Sequence, residues 1–257
     1  MKSVLITGAT INTGVAIVDK FASEGKNIVF TGRNAEKVAE AEKSYREKFP
    51  NVDIIGCAID SLIDERTVDE DGVAELFDFL DKKGIFVETL VLYAADQGLG
   101  QKIFENPITD FMKVLNTNVV WNYCLCEHAA ARMKENGGGS IVFINSNTAY
   151  RAIPDRVAYV ASKGGQLGLM RALAIDLGQY NIRVNAVLPG MIRTDRWVKN
   201  PDFYATVPSR YTPIGDVADG ADFAAAVWYF AECARNTTGA ELVVDGGNTV
   251  QLYPIIK

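Results

Sequence analysis

"SVLITGATINTGVAIVDKFASEG", Ser3 to Gly25, is the stretch that decides the fold. "SVLI" reads as a strand, and "GVAIVDKFASEG" as an amphipathic helix with Val15, Val18, Phe21 and Ala22 on one face and Gly25 as its stop. Between them lies "TGATINTG", Thr7 to Gly14. A strand that breaks through such a turn into a helix presents unpaired backbone N–H groups and the positive end of the helix dipole, which together attract a pyrophosphate. Gly8 permits the tight turn and Gly14 lets the helix approach the sheet. A plain strand-to-helix turn would show the same two glycines, and the middle glycine expected at position 12 is Asn12. The rest of the chain has to decide.

The same alternation continues. "NIVFTG" is a second strand, followed by a charged helix from about Asn34 to Lys48, and "VDIIGCAI" is a third strand. An acidic connection, "DSLIDERTVDED", leads to the helix "VAELFDFLDKKG" and the strand "VETLVLYAA". A helix around "ITDFMKVLNTNVVWNYCLCEHAAARMKENG", the strand "SIVFIN" and a helix beginning near Tyr159 come next. The strand "IRVNAVLP", a helix near "GADFAAAVWYFAEC" and the strand "ELVVDG" close the series. This order predicts an α/β fold, a doubly wound seven-stranded parallel sheet with helices on both faces. The strands are continuous apolar runs, as burial on both faces requires. No repeat or linker divides residues 1–257, which read as a single domain.

Composition excludes several classes of function. A 48% hydrophobic, 23% charged chain can bury an ordinary globular core. A net charge of −6 without a basic cluster argues against nucleic acid or an anionic membrane as partner. Cys57, Cys124, Cys126 and Cys233 have no paired spacing and read as buried free thiols in a reducing compartment. The only histidine, His128, has no neighbouring ligand set, which leaves neither a histidine metal site nor a Ser-His-Asp triad. No apolar run reaches the roughly 18 residues needed to span a bilayer. No signal peptide precedes the first strand, so a cytoplasmic location is expected.

In a sheet of this kind, ligands bind beyond the carboxyl ends of the strands, near the point where strand order reverses. "FTGRN" ends strand two with Arg33, 19 positions beyond Gly14 and with no carboxylate before it in the loop. An acidic residue there would hold the ribose hydroxyl of NAD, whereas an arginine accommodates the 2′-phosphate of NADP. "YVASKGG" places Tyr159 and Lys163 at i and i+4, one turn apart on a helix face. An ammonium beside a phenol favours phenolate and would move its pKa toward neutrality, as proton transfer near pH 7 requires. Ser146 lies 13 residues upstream of Tyr159, just past "SIVFIN", and can face the same crevice.

With these residues in place, the chain resembles the short-chain dehydrogenases/reductases of about 250 residues, essentially end to end. The glycine-rich loop falls on Thr7 to Gly14, including Gly8, Ile11, Asn12 and Thr13. The Asn-Ser-Tyr-Lys catalytic set falls on Asn118, Ser146, Tyr159 and Lys163. The segment after the sixth strand reads Pro189, Gly190, Met191, Ile192, Arg193, Thr194, and the closing "DGG" is Asp245 to Gly247. The resemblance implies a Rossmann fold, a homodimer or homotetramer, and reversible hydride transfer between a nicotinamide dinucleotide and a ketone or secondary alcohol. Arg33 favours NADP(H), with NAD(H) as the alternative. Tyr159 would be the general acid or base on the substrate oxygen, and Ser146 would hydrogen-bond that oxygen. Lys163 would lower the tyrosine pKa and hold the nicotinamide ribose, while Asn118 would order a water in the proton path. Asp60 would meet the adenine, and the Ala94 backbone the adenosine ribose. The Ile192 backbone and Thr194 would hold the carboxamide.

Three departures from the family pattern matter. Asn12 replaces the middle loop glycine, and asparagine tolerates the left-handed conformation best among non-glycine residues. Its side chain must then turn away from the pyrophosphate or bond to the loop. "LYAA", Leu92 to Ala95, stands where Asn-Asn-Ala-Gly is usual, so Tyr93 implies a repacked floor. Ile11 occupies a loop position that is often basic in NADP users. The substrate lid would span about 191–215, where Trp197, Phe203, Tyr204 and Tyr211 lie among Arg196, Lys199 and Arg210. These would suit an apolar or sugar-like body with an anionic group. Two alternatives stay open: a sugar-nucleotide epimerase or dehydratase with a retained cofactor, and a non-catalytic dinucleotide sensor.

Overall fold

Strand β1 (Lys2–Ile6) explains the continuous apolar runs: Val4 and Ile6 pack on one face of the sheet and Leu5 on the other, all fully buried. The structure is a computed structural model, and it describes residues 1–194, 201, 205 and 207–254. Helix α1 (Thr13–Ser23) follows β1, then β2 (Asn27–Gly32), α2 (Ala35–Lys48) and β3 (Ile54–Ala58). A small antiparallel hairpin of β4 (Leu62–Asp64) and β5 (Thr67–Val68) precedes α3 (Glu70–Lys82) and β6 (Phe86–Leu92). Next come α4 (Ile108–Leu115), α5 (Trp121–Glu135), β7 (Gly139–Ile144), α6 (Val157–Gly178) and β8 (Ile182–Pro189). The described part ends with α7 (Val207–Tyr211), α8 (Gly220–Trp228) and β9 (Glu241–Val244).

Seven strands form one parallel sheet in the order β3-β2-β1-β6-β7-β8-β9, as the sequence predicts. Helices α3, α5 and α6 cover one face through Phe77, Trp121, Leu125 and Met170. Helices α1, α2 and α8 cover the other through Ile17, Phe21, Tyr45 and Phe223. Gly25 ends α1 as expected: its φ of +79° lets Lys26 N–H reach the Phe21 carbonyl at 3.0 Å. No helix among the described residues is long and apolar enough to cross a membrane.

Three features differ from the sequence reading. The acidic connection is not a plain linker. Asp64 accepts from the backbone N–H of Arg66 (2.8 Å) and Thr67 (3.0 Å), which makes the β4–β5 turn and holds its carboxyl below the usual range. The long helix after β6 is interrupted by a π turn at Asn116–Val120, which contains Asn118. Of the four free cysteines, Cys124 and Cys126 are buried, Cys57 is half-buried and Cys233 is exposed. Cys233 ends a second π turn (Tyr229–Cys233) whose Phe230 and Ala231 face the core, which turns the thiol outward.

Candidate active site

Strand order reverses between β1 and β6, and there an open cleft of about 1180 Å³ lies beyond the carboxyl ends of the strands. The loop Thr7–Gly14 forms one wall. Gly8 has φ +71°, and a Cβ added to it would stand 2.9 Å from Ala94 Cβ, so both the turn and the contact exclude a side chain. The loop is pinned from several sides. Thr7 Oγ1 accepts from the Tyr93 and Ala94 backbone at 3.0 and 2.9 Å, Gly8 N–H donates to Thr31 Oγ1 at 3.2 Å, and Tyr45 OH donates to the Ala9 carbonyl at 2.7 Å.

Tyr93, in place of the usual asparagine, lies against this loop. Its hydroxyl accepts from Thr13 Oγ1 at 3.1 Å, and a Cβ at Gly14 would come within 2.8 Å of its ring. The repacked floor is therefore a brace that ties the end of β6 to the start of α1. The first turn of α1 carries no acidic residue and no side-chain cap; Val15 N–H donates to the Asn12 carbonyl at 3.1 Å, and the Thr13 and Gly14 N–H groups are available to an anion.

Asn12 is the strained element of the loop. Its φ of 55° is positive as expected, but its ψ of −139° lies outside the left-handed helical well that asparagine tolerates. That conformation borders the region used almost only by glycine, and holding it costs about 1–3 kcal/mol. The exposed side chain makes no capping hydrogen bond in return. Asn12→Gly is accordingly expected to raise Tm and leave dinucleotide Kd equal or lower, by thermal melts and fluorescence titration. A large rise in Kd would show that the amide holds the ligand.

Arg33 and Ile11 are exposed at the rim of the cleft, and among the described residues Arg33 has no salt-bridge partner. Asp60 also lines the cleft, its carboxylate accepting from Ser61 N–H at 2.7 Å. Beside it, Ser61 and Thr117 hydroxyls meet at 3.1 Å, and the buried Trp121 lines the cleft, its indole N–H without a partner among the described residues. Pro189, Gly190, Ile192 and Thr194 form a further part of the cleft wall. A Cβ at Gly190 would stand 2.5 Å from Asp245 Cβ, which explains the glycine. Ile192 is fixed by a bridge to Ala218. Asp245 accepts from Gly247 N–H (2.9 Å) and Thr249 N–H (2.6 Å), and so folds the tail against this wall. Glycines that only a close approach allows, uncapped helix N–H groups and one orphaned indole donor together fit an extended anionic dinucleotide.

Ser146, Tyr159 and Lys163 line the same cleft; Asn118, fully buried, does not. Lys163 Nζ donates to the Ile144 carbonyl (2.8 Å) and to Gln166 Oε1 (3.0 Å), and lies 5.5 Å from the Tyr159 ring centroid. Burial with neutral partners pulls the ammonium down to about 7. The phenol differs from its expected behaviour. Burial raises the Tyr159 pKa above its ordinary value, the Ser146 hydroxyl and Arg156 oppose that shift, and Tyr93 adds to it. Lys163 directs two of its three N–H donors at Ile144 and Gln166 and is not among the causes of the Tyr159 shift, so the lowering assigned to it is not expressed in this arrangement.

Asn118 works structurally on the loop after β6. Its Oδ1 accepts from Asp96 N–H at 2.7 Å, and its Nδ2 donates to the Asp96 carbonyl (2.8 Å) and to Ser162 Oγ (2.9 Å). Its own carbonyl accepts from Asn122 Nδ2 (2.9 Å) and Gln166 Nε2 (2.7 Å). Gln166 was legible in principle, because 159, 163, 166 and 170 share one helix face and a lone amide among apolar neighbours is conspicuous. Arg156 was also missed: it begins α6, lines the cleft and donates to the carbonyls of Gln97 and Gly98 at 3.0 and 3.2 Å. Of the lid residues, Arg196, Trp197, Lys199, Phe203 and Tyr204 lie outside the described residues, and Arg210 and Tyr211 are exposed.

Comparison with known proteins follows the same lines. Residues 8–249 match the family model described as enoyl-(acyl carrier protein) reductase. The chain is 32% identical to the NADP-dependent (R)-specific alcohol dehydrogenase of Lentilactobacillus kefiri, over 97% of each chain. It superimposes on L-sorbose reductase from Gluconobacter frateurii, complexed with NADPH and L-sorbose, with a TM-score of 0.87, 27% identity and coverage of 98% and 97%. For an NAD⁺-bound xylitol dehydrogenase the TM-score is 0.82, with 28% identity and coverage of 96% and 98%.

Proposed function

The chain belongs to the short-chain dehydrogenase/reductase family, and from that premise we propose that its cleft interconverts a secondary alcohol and a ketone with NADP(H) as the preferred dinucleotide. Nicotinamide-dependent oxidoreduction of CH–OH and C=O groups is the activity of the family's named relatives. The observation that carries the reading here is that Ser146, Tyr159 and Lys163 line one cleft together with the glycine loop. The bound nicotinamide would supply or accept the hydride. The protein would hold it through the Gly8–Gly14 loop, Arg33, Asp60, the Ala94 backbone, Lys163 and the segment Pro189–Thr194. Tyr159 Oη would deliver or remove the proton of the substrate oxygen, and Ser146 Oγ would orient that oxygen by a hydrogen bond.

Arg33 supports NADP(H) because its exposed guanidinium stands at the end of β2, where the ribose 2′ position is expected. Hydrogen bonds to a charged group contribute about 1.5–3 kcal/mol, so Arg33→Ala is expected to weaken NADP⁺ roughly 10- to 100-fold and leave NAD⁺ almost unchanged. Paired titrations with the two dinucleotides measure this, and equal losses for both would assign Arg33 to the fold alone. The reading further takes residues 1–257 as one domain with a lid over 191–215, acting on a small molecule rather than on nucleic acid or a membrane, as a cytoplasmic homodimer or homotetramer. A spectrophotometric screen of ketones and secondary alcohols with NADPH and NADH tests it. A protein that retained its dinucleotide through purification and consumed none would favour the epimerase-like reading instead.

A further inference from the structure

Gln166 belongs to α6 and is fully buried behind the cleft wall. Its two ends are both used: Nε2 donates to the Asn118 carbonyl at 2.7 Å, and Oε1 accepts from Lys163 Nζ at 3.0 Å and from Asn145 Nδ2 at 3.2 Å. The orientation of the amide is fixed by these partners, because the flipped form would set its NH₂ against two donors. Asn145 Nδ2 also holds the Lys163 carbonyl at 2.9 Å, so β7, α6 and the π turn meet at this one amide.

We propose that Gln166 is a positioning residue of the proton-transfer site, which fixes the Lys163 ammonium beneath Tyr159 by joining it to the Asn118 carbonyl. The proposal rests on the oxidoreductase reading above. Two physical points carry it. First, the Asn118 carbonyl accepts two hydrogen bonds, from Asn122 and Gln166, which fills both its lone pairs. The Asn118 carbonyl is thus held by amide donors, which neither give up nor take a proton near neutral pH. Second, the Lys163 ammonium is held by acceptors in a buried site, and among the described residues Gln166 Oε1 is one and the Ile144 carbonyl the other. The neighbours of Lys163 are Tyr159 on the same helix and the uncharged Asn145 after β7, while Ser146, Arg156 and Tyr93 act on Tyr159. Burial, rather than any carboxylate, sets the lysine titration. Removing or charging the Gln166 acceptor must therefore move it in opposite directions.

The test compares wild type, Gln166→Leu and Gln166→Glu by two readouts: the lysine ¹³Cε NMR titration, with Lys163→Met assigning the signal, and the pH profile of kcat. Loss of the acceptor is expected to shift the Lys163 titration down, and a carboxylate to shift it up, each by about one pH unit or more. The kcat profiles should move in step, with kcat of Gln166→Leu down roughly tenfold and substrate KM within about threefold, because Gln166 does not line the cleft. Titration and rate profiles that stay in place while Tm falls would overturn the proposal, and so would a lysine titration that moves without the rate profile. If Gln166→Leu does not fold, the nearly isosteric Gln166→Glu decides alone by the same criteria. A wild type that turns over no substrate defeats the oxidoreductase reading, and the NMR arms then still decide whether Gln166 controls Lys163.

Discussion

Tyr159→Phe is expected to lower kcat by roughly 10²–10⁴-fold, the range attributed to a positioned proton donor, while dinucleotide Kd stays within about twofold. Phenylalanine keeps the ring and its packing over Lys163 Nζ, at 5.5 Å from the centroid, and removes only the hydroxyl. The direction of the Tyr159 shift defines its resting state. Burial raises it, and neither the Ser146 hydroxyl nor Arg156 reverses that, so the residue is a neutral phenol at pH 7. A phenol with its proton in place is ready to protonate a carbonyl oxygen. The reverse reaction needs the phenolate, so alcohol oxidation should climb as pH rises through the alkaline range while ketone reduction stays level. Steady-state absorbance of the reduced dinucleotide follows both directions, and fluorescence titration gives Kd. Turnover unchanged in the variant would move the proton role to another group. A sensor without catalysis would show no turnover in the wild type either.

The sheet was legible because seven apolar runs, buried on both faces, alternate with amphipathic helices; Val4, Leu5 and Ile6 illustrate how one such run feeds two cores. The positions of Gly8, Ser146, Tyr159 and Lys163 followed from spacing after strands. What escaped were arrangements made by single hydrogen bonds between distant segments. The β4–β5 hairpin depends on one aspartate, Asp64, reading two backbone N–H groups in a stretch whose composition says only acidic loop. The π turn around Asn118 inserts one residue into a helix whose apolar period continues on both sides. Tyr93 looked like the loss of an asparagine, and its hydrogen bond from Thr13, 80 residues away, gives it a bracing role that local pattern cannot reveal. The same applies to the proton chemistry. Tyr-x-x-x-Lys specifies a pair on one helix face, but the acceptors at Ile144 and Gln166 decide where the ammonium points.

Lys163→Met is expected to abolish measurable turnover and also to flatten the dependence of stability on pH, and the second effect isolates the lysine. In the unfolded chain the ammonium titrates near 10.5; in the folded protein burial brings it down to about 7. Below pH 7 both states carry the proton, and the folded protein bears the full desolvation penalty. Between about 7 and 10.5 the unfolded chain holds more protons than the folded one, so wild-type stability rises with pH, by up to about 1.4 kcal/mol per unit. Above that window both states are neutral and the dependence ends. Methionine has no proton to exchange, so the difference between the wild-type and variant curves of unfolding free energy should slope across this window and be level outside it. The vertical offset between the curves mixes other terms, since Met removes the Lys163 donor from the Ile144 carbonyl, at about 1–3 kcal/mol, and leaves Gln166 Oε1 with Asn145 Nδ2. The slope contains none of them. Urea unfolding from pH 6 to 10.5 measures it, and parallel curves would show that Lys163 holds its proton as firmly in the fold as in water, which its buried position against two neutral acceptors does not allow.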